Sequence, residues 1–506
     1  MKLIFQGHDY RYAVEQSLLA FFPAERPVYD GEDLHTARVT LAVENGSARS
    51  DTAITVENRT GCGTASVEVP PGADDFARER LCQRAVKLSF FAAARDLTGR
   101  TPAWGALTGI RPAKVAVSLL REGYTAAEAD NLLRDTYCVS PSRRRLSLEC
   151  AQAELRADEG RTDRDVSLYL GIPFCPSRCA YCSFVSNSVE KSMKLIEPYL
   201  EVLHREIRTA GELTRRLDLR LRTFYMGGGT PTTLTAGQMD ALLTLLEEEF
   251  HLSALEECTV EAGRPDTITQ EKLRVLRDHG IRRISVNPQT MEDDVLRAVG
   301  RRHTAADVER TMAQAAAAGF PHINMDLIAG LPGDSPAGFA RSLERVMAFG
   351  TDHVTVHTLS LKKGSRISLE GTRLPSEEAV GEMLSHAETA LRAGGYAPYY
   401  LYRQKYQSGS FENVGWCRDG GECRYNIYMM EELHSILSLG AGGTTKLVDR
   451  GQNRIERVFQ LKYPLEYIQR PEKIIENQRA FEAFCREHFP RQTGEDGTGK
   501  IILRER

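Results

Sequence analysis

The chain has 506 residues, more than one domain usually holds, so we expect roughly two to four folded units. With 42% hydrophobic and 26% charged residues, it has the composition of an ordinary globular protein and not of a disordered one. A formal net charge of −4 excludes the global basic field typical of nucleic-acid binding, and we expect no nucleic-acid partner.

The first residues, MKLIFQGHDYRYAVEQ, lack the apolar core and the small-residue cleavage site of a signal peptide. The sequence has no apolar run of about eighteen residues, the length that would predict a membrane span. These two features predict a cytoplasmic protein without a membrane segment.

Four regions follow one another along the chain. Residues 1-75 alternate short β-type segments such as HTARVTLAV with turn residues, which predicts a small, mostly β module. Residues 76-160 carry apolar residues at three- and four-residue spacing, which predicts a helical module. Strands and helices alternate in 161-395, and 396-506 predict a small C-terminal region with a helical tail.

Six short β-rich runs in the third region are each followed by a segment of helical period. The predicted strands are VSLYL (166–170), RTFYM (222–226), CTVEA (258–262), RISVN (283–287), HINMDL (322–327) and HVTVHT (353–358). This alternation predicts an α/β fold with a parallel sheet, either an open doubly wound sheet or a full or partial β/α barrel. In both folds the chemistry lies at the carboxyl ends of the strands, where GIPFC, GGGTPT, EAGRPD, NPQT and AGLPGD occur.

Three of the eleven cysteines lie in the eight residues CPSRCAYC, directly after the first predicted strand. An odd number of cysteines, most of them widely scattered, does not indicate a disulfide framework, and clustered thiols in a reducing compartment favour metal binding. A structural zinc site takes four ligands, and no second C-x2-C knuckle is present. Three thiolates on a 4Fe-4S cluster would leave one iron open to another ligand, which suggests a reactive cluster.

The C-x3-C-x2-C motif after the first strand of a β/α array resembles that of the radical S-adenosylmethionine (SAM) superfamily. The text SLYLGIPFCPSRCAYCSF, with GGGTPT and DLIAGLP, is similar to the oxygen-independent coproporphyrinogen III oxidase group over residues of about 165 to 360. The segments LTGIRPAK, YYLYRQK and ENVG resemble the HemZ branch of that group.

The resemblance implies a partial (β/α)6 barrel, with a C-terminal region that covers the substrate. It implies a 4Fe-4S cluster on Cys175, Cys179 and Cys182, with SAM bound to the fourth iron. The implied reaction removes hydrogen, CO2 and one electron from each of two propionates of coproporphyrinogen III, giving protoporphyrinogen IX in haem biosynthesis. It requires the porphyrinogen substrate and an electron donor such as flavodoxin or ferredoxin.

Several residues match cofactor-contacting positions of the family. The expected SAM-binding residues are Tyr169, Tyr181, Gly228, Gly229, Thr230, Glu261, Gln289, Arg301, Asp326 and Thr358, with His357 beside the last. A buried carboxylate in an apolar strand is costly unless it has a partner, and this cost itself marks Asp326 as a candidate ligand-binding residue. A tetracarboxylate substrate needs cations, and the candidates are Arg111, Lys114, Arg403 and Lys405.

The sequence departs from the family pattern at two positions. Gly171 stands where well-known oxidases have histidine, and Phe184 stands where they have a further cysteine. Cys417 and Cys423 could form a second metal site or a redox pair, although buried structural thiols are the more ordinary interpretation. Two other functions are compatible with the resemblance. One is a haem-binding chaperone of the HemW type, whose branch also has phenylalanine at the position of Phe184. The other is a radical SAM enzyme that opens the haem ring.

Overall fold

The computed structural model describes residues 1–182, 187–188, 192–360, 365–367, 372–404, 411–418, 420–451 and 454–489. Two residues of the sequence analysis, Phe184 and Lys405, lie outside these ranges.

The N-terminal residues form a four-stranded sheet with two helices. Its elements are β1 (Lys2–Gln6), α1 (Arg11–Phe21), β2 (Thr36–Glu44), β3 (Ser47–Val56), β4 (Arg59–Glu68) and α2 (Asp75–Thr98), with strand order β1-β2-β3-β4. Asn45 and Gly46 form the tight turn between β2 and β3. Their φ values of 49° and 74° are those that an Asn-Gly hairpin turn favours.

Helix α2 covers this sheet so closely that its backbone excludes side chains from β4. A Cβ at Gly61 would lie 2.4 Å from Ala93 O, and one at Gly63 would lie 2.4 Å from Ser89 O. The hydrophobic core of the sheet includes Phe90 and Phe91 of the same helix. The boundary expected at residue 75 therefore divides one hydrophobic core, and the packed unit extends through α2.

Three further helices pack against the central sheet. They are α3 (Ala113–Arg121), α4 (Ala126–Asp135) and α5 (Pro141–Asp158), and their apolar side chains belong to the core of the sheet. A buried ion pair joins Arg143 of α5 to Glu412, with Nη2 2.8 Å from Oε1. Trp104 Nε1 donates to the other oxygen of Glu412 at 2.6 Å, so this carboxylate is compensated on both sides.

The six predicted strands all form, side by side and parallel, with helices between them. They are β5 (Asp165–Ile172), β8 (Arg220–Gly228), β9 (Glu257–Gly263), β10 (Arg283–Val286), β11 (His322–Ala329) and β12 (His353–Thr358). The intervening helices are α6 (Ile196–Arg216), α7 (Ala236–Phe250), α8 (Gln270–Asp278), α9 (Asp293–Ala298), α10 (Ala305–Ala317) and α11 (Pro336–Ala348). Capping boxes at Thr235 and Thr304 fix the starts of α7 and α10. The predicted α/β fold with a parallel sheet is confirmed.

The C-terminal region extends this sheet at both edges. It contributes α12 (Glu377–Ala393), β13 (Ala397–Arg403), β14 (Glu412–Cys417), α13 (Arg424–Glu431), β15 (Ser435–Leu439), β16 (Thr444–Asp449), β17 (Arg454–Phe459), α14 (Pro464–Gln469) and α15 (Pro471–His488). Strand β14 pairs antiparallel with β12, and β15 pairs parallel with β5. Within the described residues the sheet has eleven strands, in the order β13-β14-β12-β11-β10-β9-β8-β5-β15-β16-β17.

A buried carboxylate on α6 ties the C-terminal region to the core. Glu206, which is 3% exposed, accepts hydrogen bonds from Gly440 N at 2.8 Å, from Tyr467 Oη at 2.5 Å and from Gln460 Nε2 at 3.0 Å. All three donors come from the C-terminal region. Burial raises the pKa of Glu206 to about 7, although these hydrogen bonds oppose the rise.

No helix in the described part of the chain combines the length and the apolar composition that a membrane crossing needs.

We predict that Glu206→Gln removes a part of the pH dependence of stability. The pKa of Glu206 is about 7 in the folded protein, whereas its ordinary value is 4.5. Between these two pH values the native state therefore holds a proton that the unfolded state has lost. Raising the pH through this window should lower the free energy of unfolding of the wild type, relative to the variant, by about 3 kcal/mol. Denaturant unfolding of both proteins across this range measures the difference, and parallel pH curves would contradict the prediction.

Candidate active site

The three clustered cysteines follow β5 on a loop that reaches across the carboxyl ends of the strands. Cys175 lies on the short strand β6 (Phe174–Cys175), which pairs with β7 (Asn187–Ser188), and all three cysteines are half-buried. Ala180 N donates to Val299 O at 2.9 Å, and Ile367 N donates to Ala180 O at 3.3 Å. The cysteine loop, which we define as residues 175–182, is thereby fixed to the segments after β10 and β12.

The glycine-rich turn after β8 is paired with the start of the cysteine loop. Gly229 N donates to Ile172 O at 2.8 Å, and Thr230 N donates to Phe174 O at 2.7 Å. A Cβ at Gly229 would lie only 2.5 Å from Phe174 O, so a larger residue cannot keep this pairing. The next contact reaches a cysteine directly, because Thr230 Oγ1 lies 3.4 Å from Cys175 Sγ.

Glu261, at the end of β9, lies directly against the same turn. A Cβ at Gly227 would be 2.7 Å from its Oε2. Tyr225 donates its hydroxyl to Glu261 Oε1 at 2.5 Å. Burial raises the pKa of Glu261 to about 7, the Tyr225 hydrogen bond lowers it, and the negative charge of Asp326 raises it further. Strand β9 therefore presents, beside the glycine turn, an acidic group of unusually high proton affinity.

Three stacked tyrosines lie beneath this carboxylate. Tyr225 and Tyr425 have ring centroids 4.5 Å apart, and Tyr169 stacks against both at 6.3 and 6.4 Å. Sequence reasoning found Tyr169 but missed the other two. Tyr225 could have been found because it shares with Thr223 and Gly227 the alternating face of β8, whereas Tyr425 comes from α13, more than 150 residues later in the chain.

Arg301 and Tyr181 contact each other beside the cysteine loop. Arg301 is 8% exposed, donates from Nη1 to Asn287 O at 2.6 Å, and donates from Nε to Tyr181 Oη at 3.1 Å. The two residues that the family resemblance singled out separately therefore form one buried group next to Cys182.

Gln289 has a strained backbone, with a φ of +69°, and two hydrogen bonds to β11 hold it in place. Gln289 N donates to Asp326 O and Ile328 N donates to Gln289 O, both at 2.9 Å. Its Oε1 atom and Asn287 Oδ1 are buried and have no hydrogen-bond partner among the described residues. Buried polar atoms of this kind are costly unless a ligand satisfies them, so both fit the edge of a cofactor site.

Asp326 lies within β11, and Thr358 is the last residue of β12. Asp326 Oδ1 accepts from Asn324 Nδ2 at 2.7 Å, and its Oδ2 lies 3.7 Å from His357 Nε2. Thr358 is hydrogen-bonded to the C-terminal region: its Oγ1 donates to Glu412 O at 2.8 Å, and its N–H donates to Asn413 Oδ1 at 2.9 Å. Thr358 therefore supports the site through β14, and its role as a direct cofactor contact stays a prediction.

Arg264 is a site residue that sequence reasoning missed. Its Nη1 donates to Ser177 O at 3.1 Å and to Ser177 Oγ at 2.9 Å, and lies 3.9 Å from Cys179 Sγ. Asp266 holds the guanidinium with two 3.0 Å hydrogen bonds. The sequence feature that could have identified Arg264 is the segment EAGRPD, in which an arginine follows the end of a strand and precedes a proline and an aspartate.

The predicted substrate cations that the structure describes make internal contacts or face solvent. Arg111 Nη1 is 2.6 Å from Glu432 Oε2, and Arg403 Nη1 donates to Leu107 O at 2.6 Å. Burial lowers the pKa of Arg403 to about 10. Lys114 is exposed. Arg111 and Arg403 thus connect the loop before α3 to the C-terminal region, and substrate binding by these residues stays a prediction.

The structure also explains Gly171, Cys417 and Cys423, which the sequence analysis singled out. A Cβ at Gly171 would lie 2.9 Å from Ala441 O, so the turn after β15 occupies the space of a side chain there. Cys417 and Cys423 are buried near the amino ends of the parallel strands: Cys417 pairs with His353, and Cys423 Sγ donates to Glu257 Oε1 at 3.1 Å. They lie at the opposite end of the strands from the cysteine loop, as buried structural thiols.

A parallel β/α sheet with three half-buried cysteines over its carboxyl rim is the arrangement of a radical SAM protein. The model of the radical SAM superfamily matches residues 169–346. The chain is 39% identical, over 77% of its length and 80% of the relative, to the oxygen-independent coproporphyrinogen-III oxidase-like protein HemZ of Bacillus subtilis. It is 35% identical to the haem chaperone HemW of Lactococcus lactis, over 55% of this chain and 69% of the relative.

The oxygen-independent coproporphyrinogen III oxidase of Salmonella typhimurium is 32% identical over 48% of this chain and 53% of its own length. The solved coproporphyrinogen III oxidase HemN of Escherichia coli has a TM-score of 0.49 at 23% identity, over 66% of this chain and 79% of that chain. From the match to its HemZ relative, the chain belongs to the radical SAM superfamily, within the HemZ-type oxygen-independent coproporphyrinogen III oxidase group.

Members of this superfamily bind a 4Fe-4S cluster and SAM, and the residues present fit both groups. Cys175, Cys179 and Cys182 supply the three thiols. The glycine turn with Glu261 and the unpartnered oxygens of Gln289 and Asn287 supply polar contacts at the same rim. The cofactors of this protein are therefore a 4Fe-4S cluster on three cysteines and SAM.

We predict that Gly229→Ala strongly reduces cluster content. The added methyl group would lie 2.5 Å from Phe174 O and would break the pairing that positions Cys175. Iron analysis after anaerobic reconstitution, normalised to folded protein by circular dichroism, measures the loss. Gly237→Ala is the matched control, since Gly237 lies exposed at the start of α7 with nothing within 4 Å of its added Cβ. Equal iron content in the two variants would contradict the prediction.

Proposed function

We propose that the protein converts coproporphyrinogen III to protoporphyrinogen IX without oxygen, in haem biosynthesis. The observation that carries this proposal is the extent of the HemZ match, which covers 401 residues and 77% of the chain at 39% identity, whereas the HemW relatives match between 51% and 66% of the chain. The match therefore reaches well beyond the cysteine loop and the parallel strands.

Regions outside the radical SAM core contact the candidate site. These contacts favour a function that involves the whole chain and not the radical SAM core alone. Glu412 of the C-terminal region accepts the hydroxyl of Thr358 through its backbone oxygen, while its side chain binds Trp104 and Arg143. Trp104 and Arg143 of the N-terminal region thus support β14 at the rim of the sheet.

The proposed roles of individual residues follow from their contacts. Cys175, Cys179 and Cys182 hold the cluster, and Arg264 fixes the loop between them through Ser177. Bound cluster and SAM together supply abstraction of a hydrogen atom from an unactivated carbon.

The remaining contacts position the cofactor. Glu261 and Tyr225 form an acidic pair beside the glycine turn, where they receive the amino group of the cofactor. Arg301 provides a buried positive charge for the carboxylate group of the cofactor, because a guanidinium group can form two parallel hydrogen bonds with a carboxylate. Each reacting propionate would give one hydrogen atom to the 5′-deoxyadenosyl group of the cofactor, release CO2, pass one electron to a separate one-electron acceptor, and become a vinyl group.

We place this reaction in the cytoplasm. No disulfide joins any of the cysteines in the described residues, which include all eleven, and a reducing compartment is where a cluster of thiols stays available to iron.

A haem chaperone is the second candidate. The 35% identity to a HemW protein favours it, and so does the finding that Arg111 and Arg403 each already contact another part of the chain. Opening of the haem ring is a third possibility that the same experiment tests.

The proposal predicts turnover of coproporphyrinogen III by the reconstituted protein. After anaerobic reconstitution, the protein is incubated with SAM, a reductant and coproporphyrinogen III, and 5′-deoxyadenosine, CO2 and protoporphyrinogen are quantified. We expect two CO2 for each protoporphyrinogen formed, because two propionates react. A fully loaded cluster with no turnover and tight haem binding would favour the chaperone, and consumption of haem would favour ring opening.

Cys179→Ala should lose the cluster and all activity, because two thiolates cannot hold it in place. Cys62→Ala is the matched control, since Cys62 is an exposed thiol on β4, remote in sequence from the cysteine loop. Retained turnover in Cys179→Ala would refute the assignment of the cluster ligands.

A further inference from the structure

Arg264 brings a buried positive charge to one of the three cluster ligands. Its side chain is 4% exposed, and its Nη1 atom lies 3.9 Å from Cys179 Sγ, within the distance at which an N–H group donates to sulfur. The same atom donates to Ser177 O at 3.1 Å and to Ser177 Oγ at 2.9 Å. These two hydrogen bonds hold the guanidinium group against the cysteine loop.

The backbone that carries Arg264 is itself fixed to the glycine turn and to α8. Thr267 donates to Arg264 O from N at 3.0 Å and from Oγ1 at 2.9 Å, and its Oγ1 lies 2.7 Å from Thr232 Oγ1. Lys272 Nζ of α8 donates to Thr232 O at 2.6 Å and to Thr267 O at 3.0 Å. The guanidinium group therefore reaches Cys179 from a supported position.

The carboxylate partner of Arg264 lies on the opposite edge of the guanidinium group. Asp266 accepts hydrogen bonds from Nε and Nη2 at 3.0 Å each, whereas Nη1 faces Ser177 and Cys179. The side chain of Asp266 is 23% exposed, so water screens its negative charge more than it screens the positive charge of Arg264. The ion pair therefore presents its positive side to the sulfur of Cys179.

The other basic side chains beside this pair leave the electrostatic role to Arg264. Burial lowers the pKa of His303 to about 4, and the positive charge of Arg301 lowers it further, so His303 adds no charge at neutral pH. The proposed function assigns Arg301 to the carboxylate of the cofactor. Arg264 already has hydrogen bonds to Asp266 and Ser177, so it suits a permanent contact with the cysteine loop better than ligand binding.

We propose that Arg264 is a positioning residue that acts through Cys179 and makes the 4Fe-4S cluster easier to reduce. The cluster gains one negative charge when one electron takes it from the 2+ to the 1+ state. A positive charge and an N–H donor at a ligand sulfur stabilise that reduced form. The inference rests on the three-cysteine cluster and not on the porphyrinogen substrate, so it goes beyond the proposed function.

The test is the reduction potential of the reconstituted cluster at neutral pH, without SAM or porphyrinogen. The protein is titrated with dithionite in the presence of mediator dyes, and the 1+ state is quantified by electron paramagnetic resonance. Each cluster takes one electron from the titrant, which is oxidised. For Arg264→Gln we expect the equilibrium constant for reduction to fall about tenfold, which corresponds to a potential about 59 mV lower. Arg264→Lys keeps the positive charge and should lie closer to the wild type.

Asp266→Asn tests the sign of the effect, because it removes the negative charge of the same ion pair. We expect a higher potential, with a smaller shift than in Arg264→Gln, since Asp266 is the more exposed partner. Both substitutions break the ion pair. If Arg264 only held the loop in place, the two variants would therefore shift the potential in the same direction or leave it unchanged.

Arg38→Gln is the matched control, because it makes the same substitution at an exposed arginine on β2 of the N-terminal sheet. It should keep the wild-type potential, and iron analysis checks that the compared variants hold equal amounts of cluster. Equal potentials in Arg264→Gln and Arg38→Gln would overturn the proposal, as would shifts of the same sign in Arg264→Gln and Asp266→Asn. If Arg264→Gln binds no cluster, an unchanged or lower potential in Asp266→Asn overturns it.

The potential and the turnover of coproporphyrinogen III separate this proposal from the proposed function. If the potentials shift as expected and no coproporphyrinogen III is converted, the role of Arg264 stands and the oxidase proposal fails. If turnover occurs and the potentials do not shift, the role of Arg264 fails and the oxidase proposal stands.

Discussion

The site depends on the close approach of two backbones, the turn after β8 and the start of the cysteine loop. Gly229 and Thr230 donate to Ile172 and Phe174, and the separation leaves no room for a Cβ at Gly229. This pairing continues the β5–β8 ladder beyond the pair Ile172 and Gly228, so the position of Cys175 is set by two central strands of the sheet. Metal ligands on loops hold their geometry only when such support is present.

Around this pairing, hydrogen bonds made by charged and polar residues join neighbouring segments of the rim. Arg264 connects β9 to Ser177, Arg301 connects the segment after β10 to Tyr181, and Gln289 connects that segment to β11. The side chains of Arg264 and Arg301 are buried, so their contacts are stronger than they would be in water, whereas Gln289 is held through its backbone. These contacts join the segments after β5, β9 and β10 to one another and to β11.

The six parallel strands and their functional rim could be predicted from the sequence because both depend on local pattern. Alternating apolar residues place β5 to β12, and the polar, glycine-rich motifs follow the strands directly. The C-terminal extension of the sheet could not be predicted in the same way. Strand β15 pairs with β5 across a separation of about 270 residues in the chain, and nothing local in SILSL indicates its partner. Arg111 and Arg403 were predicted as substrate contacts because a tetracarboxylate needs cations, and the sequence could not show their contacts with Glu432 and Leu107 O, which depend on the tertiary fold.

The central claim is that three cysteines hold the cluster and leave its fourth iron to SAM. The most direct measurement is electron–nuclear double resonance of the reduced, reconstituted protein with SAM isotopically labelled at its amino and carboxylate groups. The account predicts hyperfine coupling of both labels to the cluster, as expected when the two groups chelate one iron. A reduced cluster whose spectrum is unchanged by SAM and shows no coupling to either label would contradict it.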